Sequence, residues 1–187
     1  ALAARGEDGH IEAHMSVLAT PSVDNTRSRL VIDLDAIARN YAALQALTPK
    51  AETSAVVKAN AYGLGAGPVA RRLAKQGART FFVATVEEGA AVREALGDPL
   101  PDIWVFAGYR AKDRPLYVKH RLGAILNQPG ETAQFRAAPT GPCAIHIDTG
   151  MARLGYGAGD ISGLLNALQN LDVSMIMSHL ACSKDAA

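Results

Sequence analysis

The chain has 187 residues, and its 49% hydrophobic content is enough to bury the core of one domain. Its 19 basic and 18 acidic residues leave a formal net charge of +1, with no long run of either sign, which argues against nucleic-acid binding through bulk charge. The two cysteines, Cys143 and Cys182, lack metal-site spacing. This usage favours a reducing, cytoplasmic location over a disulfide scaffold or a zinc site. No uninterrupted apolar run reaches the ~18 residues that a membrane span requires.

Residues 1–28 are rich in alanine, glycine, serine, threonine and charge, and they lack the apolar centre of a signal peptide. We predict that 1–28 is a disordered or tag-derived segment. The folded portion is expected to run from 29 to 187.

From Arg29 onward, the pattern predicts a regular alternation of strands and helices. A strand over 29–33 and a helix over 35–44 open the folded portion. The β-rich runs that follow lie at 53–57, 81–84, 103–106, 123–126, 143–147 and 173–178. The helical segments between them lie at 65–77, 86–96, 111–120, 130–137 and 160–170. Repeated units of this length predict parallel strands joined by right-handed crossovers.

Two α/β architectures fit this alternation, an open doubly wound sheet and a (β/α)8 TIM-type barrel. Lys58, His146 and His179 each stand at the carboxyl end of a predicted strand. Polar residues at that end of several strands are typical of the catalytic mouth of a barrel, so the pattern favours the barrel. A complete barrel needs eight strands, and six follow the opening unit. We therefore expect an incomplete barrel, the front portion of a longer protein.

The segment Ala55-Val-Val-Lys-Ala-Asn-Ala-Tyr-Gly-Leu-Gly65 is the strongest chemical signal in the chain. It places a lysine at the end of an apolar strand, where low dielectric can leave its amine free to react with a carbonyl group. Two further motifs follow: His146-Ile-Asp-Thr-Gly-Met-Ala-Arg-Leu-Gly-Tyr156 and Met177-Ser-His-Leu-Ala-Cys182. In this order and spacing, the three motifs resemble those of the alanine racemases over roughly 29–184.

The resemblance implies a role for each of five residues. Lys58 would hold pyridoxal 5'-phosphate covalently and act as the catalytic base on one face of the substrate. Tyr62 would reach the cofactor phosphate, and Phe106 would lie beside the cofactor ring. Arg153 would lie near the cofactor's phenolic oxygen and bind the substrate carboxylate, which suits its planar fork of donors. His179 would link the second base to an arginine that faces the cofactor. No metal site is implied.

The resemblance also implies a carboxyl-terminal β domain absent from this chain, and a homodimer of the complete protein. The implied reaction interconverts L-alanine and D-alanine and supplies D-alanine for cell-wall peptidoglycan. In the family, the second base is a tyrosine from the partner's later sequence. Because racemisation needs a base on each face, we expect these 187 residues alone to be inactive.

Two positions depart from the family pattern. Many relatives have a carbamylated lysine, which braces the arginine, at the position of His146 in this chain. Another group must then support Arg153. Many relatives also have histidine at the position of Leu64, where the change removes no known catalytic group.

Alternative functions stay open at this point. A racemase of broader amino-acid specificity or a fold-related decarboxylase would use the same lysine, and a non-catalytic carrier of pyridoxal phosphate would bind it without chemistry. A dinucleotide oxidoreductase is disfavoured, because Pro68 stands where the Gly-x-Gly-x-x-Gly pattern needs glycine. No acidic residue closes the next strand at Ala84.

Overall fold

The computed structural model describes residues 2–4, 10–13, 29–97 and 100–181. Strands β1 (Leu2–Ala4), β2 (His10–Ala13) and β3 (Leu30–Asp33) form an antiparallel sheet in the order β1-β2-β3. The expected disorder over 1–28 falls mostly outside the described residues, so it stays a prediction.

The larger sheet has six strands, close to the predicted positions. They are β4 (Ala55–Val56), β5 (Thr80–Val83), β6 (Asp102–Val105), β7 (Gly123–Leu126), β8 (Cys143–Ile147) and β9 (Val173–Ser178). The helices are α1 (Leu34–Leu47), α2 (Lys58–Tyr62), α3 (Ala66–Lys75), α4 (Val86–Leu96), α5 (Arg114–His120), α6 (Pro129–Ala137) and α7 (Ile161–Ala167). Short 3₁₀ turns at Ala111–Asp113 and Ala158–Asp160 precede α5 and α7. Within the described ranges, no helix combines the length and the apolar character that a bilayer crossing needs.

The order of the strands decides between the two predicted architectures. All neighbours in the larger sheet are parallel, and the order is β4-β5-β6-β7-β8-β9, without a reversal. A doubly wound sheet reverses its strand order at a switch point, whereas a barrel adds its strands in sequence. The structure therefore confirms an incomplete (β/α)8 barrel.

The two faces of this sheet have different surroundings, because side chains alternate along each strand. The face covered by helices carries most of the buried core, including Val57, Phe81 and Ile145. The inner face carries a smaller buried cluster of Trp104, Ile125 and Ala144. Partly buried Phe82, Phe106, Met175 and Met177 extend this inner cluster toward the carboxyl ends of the strands.

Side-chain caps fix where two of the helices begin. Asp33 Oδ1 accepts a hydrogen bond from the Ala36 amide at 2.9 Å and caps α1. Thr85 Oγ1 accepts from the Glu88 amide at 3.3 Å and caps α4. This second cap places Glu88 in the first turn of α4, next to the carboxyl ends of β4 and β5.

Gly123 provides a test of the inner-face packing. It pairs with Trp104 across β6 and β7, and a Cβ at this glycine would lie 2.4 Å from the indole ring. We expect Gly123→Ala to lower the free energy of unfolding by about 1–3 kcal/mol, because the buried ring must move. Urea unfolding measures this change.

Gly163 supplies the matched control, since it lies in α7 and an added Cβ meets nothing within 4 Å. Gly163→Ala should raise the free energy of unfolding by up to about 1 kcal/mol. Equal or greater stability of Gly123→Ala relative to the parent would contradict the inner-face packing.

Candidate functional site

A cavity of about 410 Å³ lies at the carboxyl ends of the inner-face strands. All five residues to which the resemblance assigns a role line it, namely Lys58, Tyr62, Phe106, Arg153 and His179. They come from the ends of β4, β6 and β9 and from the loop after β8, which are far apart in sequence. The fold thus brings the predicted residues together in one place. Cys182, the last residue of the third motif, lies outside the described residues.

Lys58 stands beside an aromatic wall. Its Nζ lies 5.8 Å from the centroid of the Phe106 ring, close enough for a cation–π contact. Phe106 in turn stacks on Phe82, with the ring centroids 5.2 Å apart. The amine is half-buried against this flat apolar surface.

The backbone after Lys58 is left-handed. Residues Ala59 to Tyr62 have φ between 51° and 54°, which is one turn of left-handed helix without a glycine. Each such residue costs about 1–2 kcal/mol, because Cβ crowds the following carbonyl oxygen. The glycines of this motif enter only at Gly63 and Gly65, after the strained residues. Strain of this kind persists only where the surrounding structure holds it in place.

The Glu88 carboxylate holds this turn. Oε1 accepts a hydrogen bond from the Ala59 amide at 2.8 Å, and Oε2 accepts one from the Ala84 amide at 2.8 Å. One side chain thus ties the residue after Lys58 to the end of the neighbouring strand β5. Asn60 adds a second tie, since its Oδ1 accepts from the Ala66 amide at 2.8 Å where α3 begins.

Arg153 is carried by a loop that folds around Asp148. The Asp148 carboxylate accepts hydrogen bonds from the amides of Gly150, at 3.0 Å, and Ala152, at 3.0 and 3.1 Å. These bonds, with that from Gly150 foremost, hold the pKa of Asp148 below its usual value. The loop is therefore shaped by an ionised carboxylate, and it presents an exposed Arg153 to the cavity.

His146 also lines the cavity, and it is 5% exposed. Its Nδ1 lies 2.9 Å from Asn127 Oδ1. Burial lowers the pKa of His146, and the charges of His179 and Arg153 act in the same direction, while Asp148 opposes them. The neutral imidazole is thereby favoured.

The charged side chains among the described residues that line the cavity are all basic. Lys58 and Arg153 line it together with two histidines, and no carboxylate is among the described residues that line it. Tyr62, 65% exposed, adds a phenolic hydroxyl at the rim. Such a pocket suits an anionic ligand that carries a flat ring.

A larger cavity, of about 630 Å³, lies at the opposite ends of the strands. Arg71, Lys75 and Arg79 line it together with Glu52 and Asp102. These charges of both signs do not converge on one group, and none of the motif residues is present. Size alone therefore does not mark the functional cavity.

Glu88 and Asn127 were not predicted from the sequence as residues of the site. Thr85 and Glu88 have the Ser/Thr-x-x-Glu spacing that marks a helix start, which would have drawn attention to Glu88. Asn127 directly follows the predicted strand 123–126, so it meets the same strand-end criterion as Lys58 and His146.

Glu88→Gln tests the tie on the turn. Glutamine keeps the size of the side chain but offers one acceptor oxygen, so one of the Ala59 and Ala84 amides loses its partner. We expect the free energy of unfolding to fall by about 1–3 kcal/mol, as measured by urea unfolding.

The exposed Glu94 of the same helix serves as the control, and Glu94→Gln should change stability by less than about 0.5 kcal/mol. Equal effects of the two substitutions would show that Glu88 does not hold the turn.

Comparisons with known proteins identify the family of the chain. Residues 32–187 match the family described as "Alanine racemase, N-terminal domain". The chain is 48% identical over 155 residues to the alanine racemase of Jannaschia sp. (strain CCS1), covering 82% of this chain and 44% of that protein.

Two solved structures share the fold. One is the alanine racemase of Bartonella henselae with covalently bound pyridoxal phosphate, with a TM-score of 0.72 and 34% identity, covering 81% of this chain and 46% of that one. The other is the biosynthetic alanine racemase of Pseudomonas aeruginosa, with a TM-score of 0.71 and 33% identity, covering 80% of this chain and 43% of that one. The chain thus spans less than half the length of these relatives. Because the family match covers most of the sequence, the chain belongs to the alanine racemase N-terminal domain family.

Proposed function

We propose that the protein containing this segment racemises alanine with pyridoxal 5'-phosphate held on Lys58. One observation carries the proposal: Phe106 and four residues that belong to three separate motifs line a single cationic cavity beside an aromatic wall. The Jannaschia relative, an alanine racemase, and the Bartonella structure, which contains covalent pyridoxal phosphate, support this assignment.

The residues of the cavity fit this cofactor. A primary amine beside stacked rings can join an aldehyde on a flat heterocycle, and the absence of carboxylates among the described lining residues favours a phosphate-bearing ligand. Bound pyridoxal phosphate would supply a ring that spreads negative charge from the α-carbon of the substrate.

We assign the remaining roles to this chain's own side chains. Lys58 Nζ removes or returns the α-proton on one face of the substrate. Tyr62 donates its hydroxyl to the phosphate, and Phe106 shields one edge of the ring from water. Arg153 binds the substrate carboxylate through its fork of N–H groups. His179, at the end of β9, acts as a positioning residue that links the second base to an arginine facing the cofactor.

We further propose that the complete protein is a cytoplasmic homodimer that makes D-alanine for peptidoglycan. A second base is needed on the opposite face, and we assign only Lys58 to this chain. The isolated 187-residue chain should therefore show no alanine racemisation. Measurable turnover by it, detected as D-alanine formed from L-alanine, would contradict this assignment of bases.

Borohydride labelling tests the assignment of Lys58. The complete protein, incubated with pyridoxal phosphate and reduced, should carry a phosphopyridoxyl group on Lys58 when its peptides are mapped by mass spectrometry. Lys58→Ala should lose both the label and the visible absorbance band, and alanine racemisation should fall by at least about 10²–10⁴-fold.

Lys75→Ala is the matched control, because this exposed lysine ends α3 outside the cavity that contains Lys58. This variant should keep the label and the activity. A label on other lysines with Lys58 unmodified would refute the assignment. A labelled Lys58 without exchange of the substrate α-hydrogen for solvent deuterium would favour a carrier.

A further inference from the structure

The orientation of the Asn127 side chain is fixed by its neighbours. Nδ2 lies 3.0 Å from the Phe106 carbonyl oxygen, 3.1 Å from the Ile125 carbonyl oxygen and 3.3 Å from Glu131 Oε2. All three are acceptors, so the amide nitrogen must face them. Asn127 is 4% exposed and has little room to turn. Its Oδ1 is therefore the atom that meets His146.

This orientation selects one tautomer of His146. Asn127 Oδ1 can only accept, so His146 Nδ1 must carry the proton across their 2.9 Å contact. In the neutral ring, Nε2 then keeps its lone pair. Nε2 has no hydrogen-bond partner among the described residues, and the ring it belongs to lines the cavity. The wall of the cavity thus presents one buried acceptor of fixed orientation.

The loop that carries Arg153 is anchored on His146 itself. The Tyr156 amide donates to the His146 carbonyl oxygen at 2.8 Å, and the Asp148 amide donates to the Tyr156 carbonyl oxygen at 3.0 Å. Gly155 allows this close return, because a Cβ there would lie 2.7 Å from the Asp148 nitrogen, and its φ is +107°. The loop is therefore held against the strand end that bears the imidazole.

Arg153 can donate hydrogen bonds to an acceptor inside the cavity. Its guanidinium forms no hydrogen bond within the described part of the chain, although it has five N–H donors. A bound carboxylate would take two of these donors in a fork. No carboxylate among the described lining residues can take another.

We propose that His146 is a positioning residue for Arg153: Asn127 holds its Nδ1–H tautomer, and Nε2 accepts a hydrogen bond from the Arg153 guanidinium when an amino acid binds. The pair of Asn127 and His146 thereby fixes the fork that reads the substrate carboxylate. The need for a carboxylate rests on the proposed function. The tautomer does not, so it can be tested separately.

Solid-state ¹⁵N NMR of the complete protein, labelled in histidine, reads the tautomer directly. At about pH 7, the His146 ring should show a protonated Nδ1 and an unprotonated Nε2. The signal missing from His146→Asn identifies the ring. A protonated Nε2, in either the other tautomer or the imidazolium, would overturn the proposal whether or not Lys58 binds the cofactor.

Two substitutions separate the contact of His146 with Asn127 from its contact with Arg153. His146→Asn keeps a donor near the Nδ1 position and can still bind Asn127, but it removes the acceptor in the cavity. His146→Gln places an amide oxygen near the Nε2 position and restores that acceptor. The KM for alanine should rise about tenfold in H146N and recover most of that loss in H146Q, with a smaller change in kcat.

A merely structural role would predict a different pattern. Equal increases in KM in both variants, or none in H146N, would refute the role in positioning Arg153. Urea unfolding of both variants shows whether the protein remains folded. Failure of borohydride labelling at Lys58 would count against the proposed function and would leave the tautomer measurement unaffected.

Discussion

Four consecutive non-glycine residues, Ala59 to Tyr62, hold the left-handed conformation directly after Lys58. At about 1–2 kcal/mol for each residue, this turn is among the most strained segments of the backbone. It persists because the Glu88 carboxylate accepts from the Ala59 and Ala84 amides together. The turn ends β4 sharply, so Lys58 stands over the inner face while the chain leaves toward α3. The position of the amine over the Phe106 ring therefore depends on this strained turn.

The same device recurs at a second strand end. Glu131, in the first turn of α6, accepts from the Asn127 amide at 2.8 Å, as Glu88 does from Ala84 four residues before it. Gly108 packs against that carboxylate, since a Cβ there would lie 2.2 Å from Glu131 Oε2. In both places, a glutamate at the start of a helix binds the end of a strand. That strand end carries either a residue that lines the cavity or a residue that contacts one. The core on the outer face thus stabilises the barrel, while carboxylates at helix starts set the geometry of its mouth.

Much of the barrel could be predicted from the sequence, because buried parallel strands alternate with amphipathic helices. The predicted helix over 86–96 coincides with α4, and the predicted strands 123–126, 143–147 and 173–178 coincide with β7, β8 and β9. The left-handed turn was not predictable, because only Asn60 in Ala-Asn-Ala-Tyr is a residue type that adopts this conformation readily, and Glu88 imposes it from 29 residues away. Asn127 escaped for a related reason: its role depends on meeting His146 across two adjacent strands.

Substituting glycine within the turn tests the central claim, that a strained left-handed segment fixes Lys58, most directly. Glycine adopts this conformation without the Cβ penalty, so Ala59→Gly should leave the free energy of unfolding unchanged or raise it by up to about 1 kcal/mol. Ala90→Gly in the right-handed helix α4 should lower it by about 1 kcal/mol. Urea unfolding of the two variants gives the comparison. An equal loss of stability in both would contradict the claim, because Ala59 would then be no more strained than a residue in an ordinary helix.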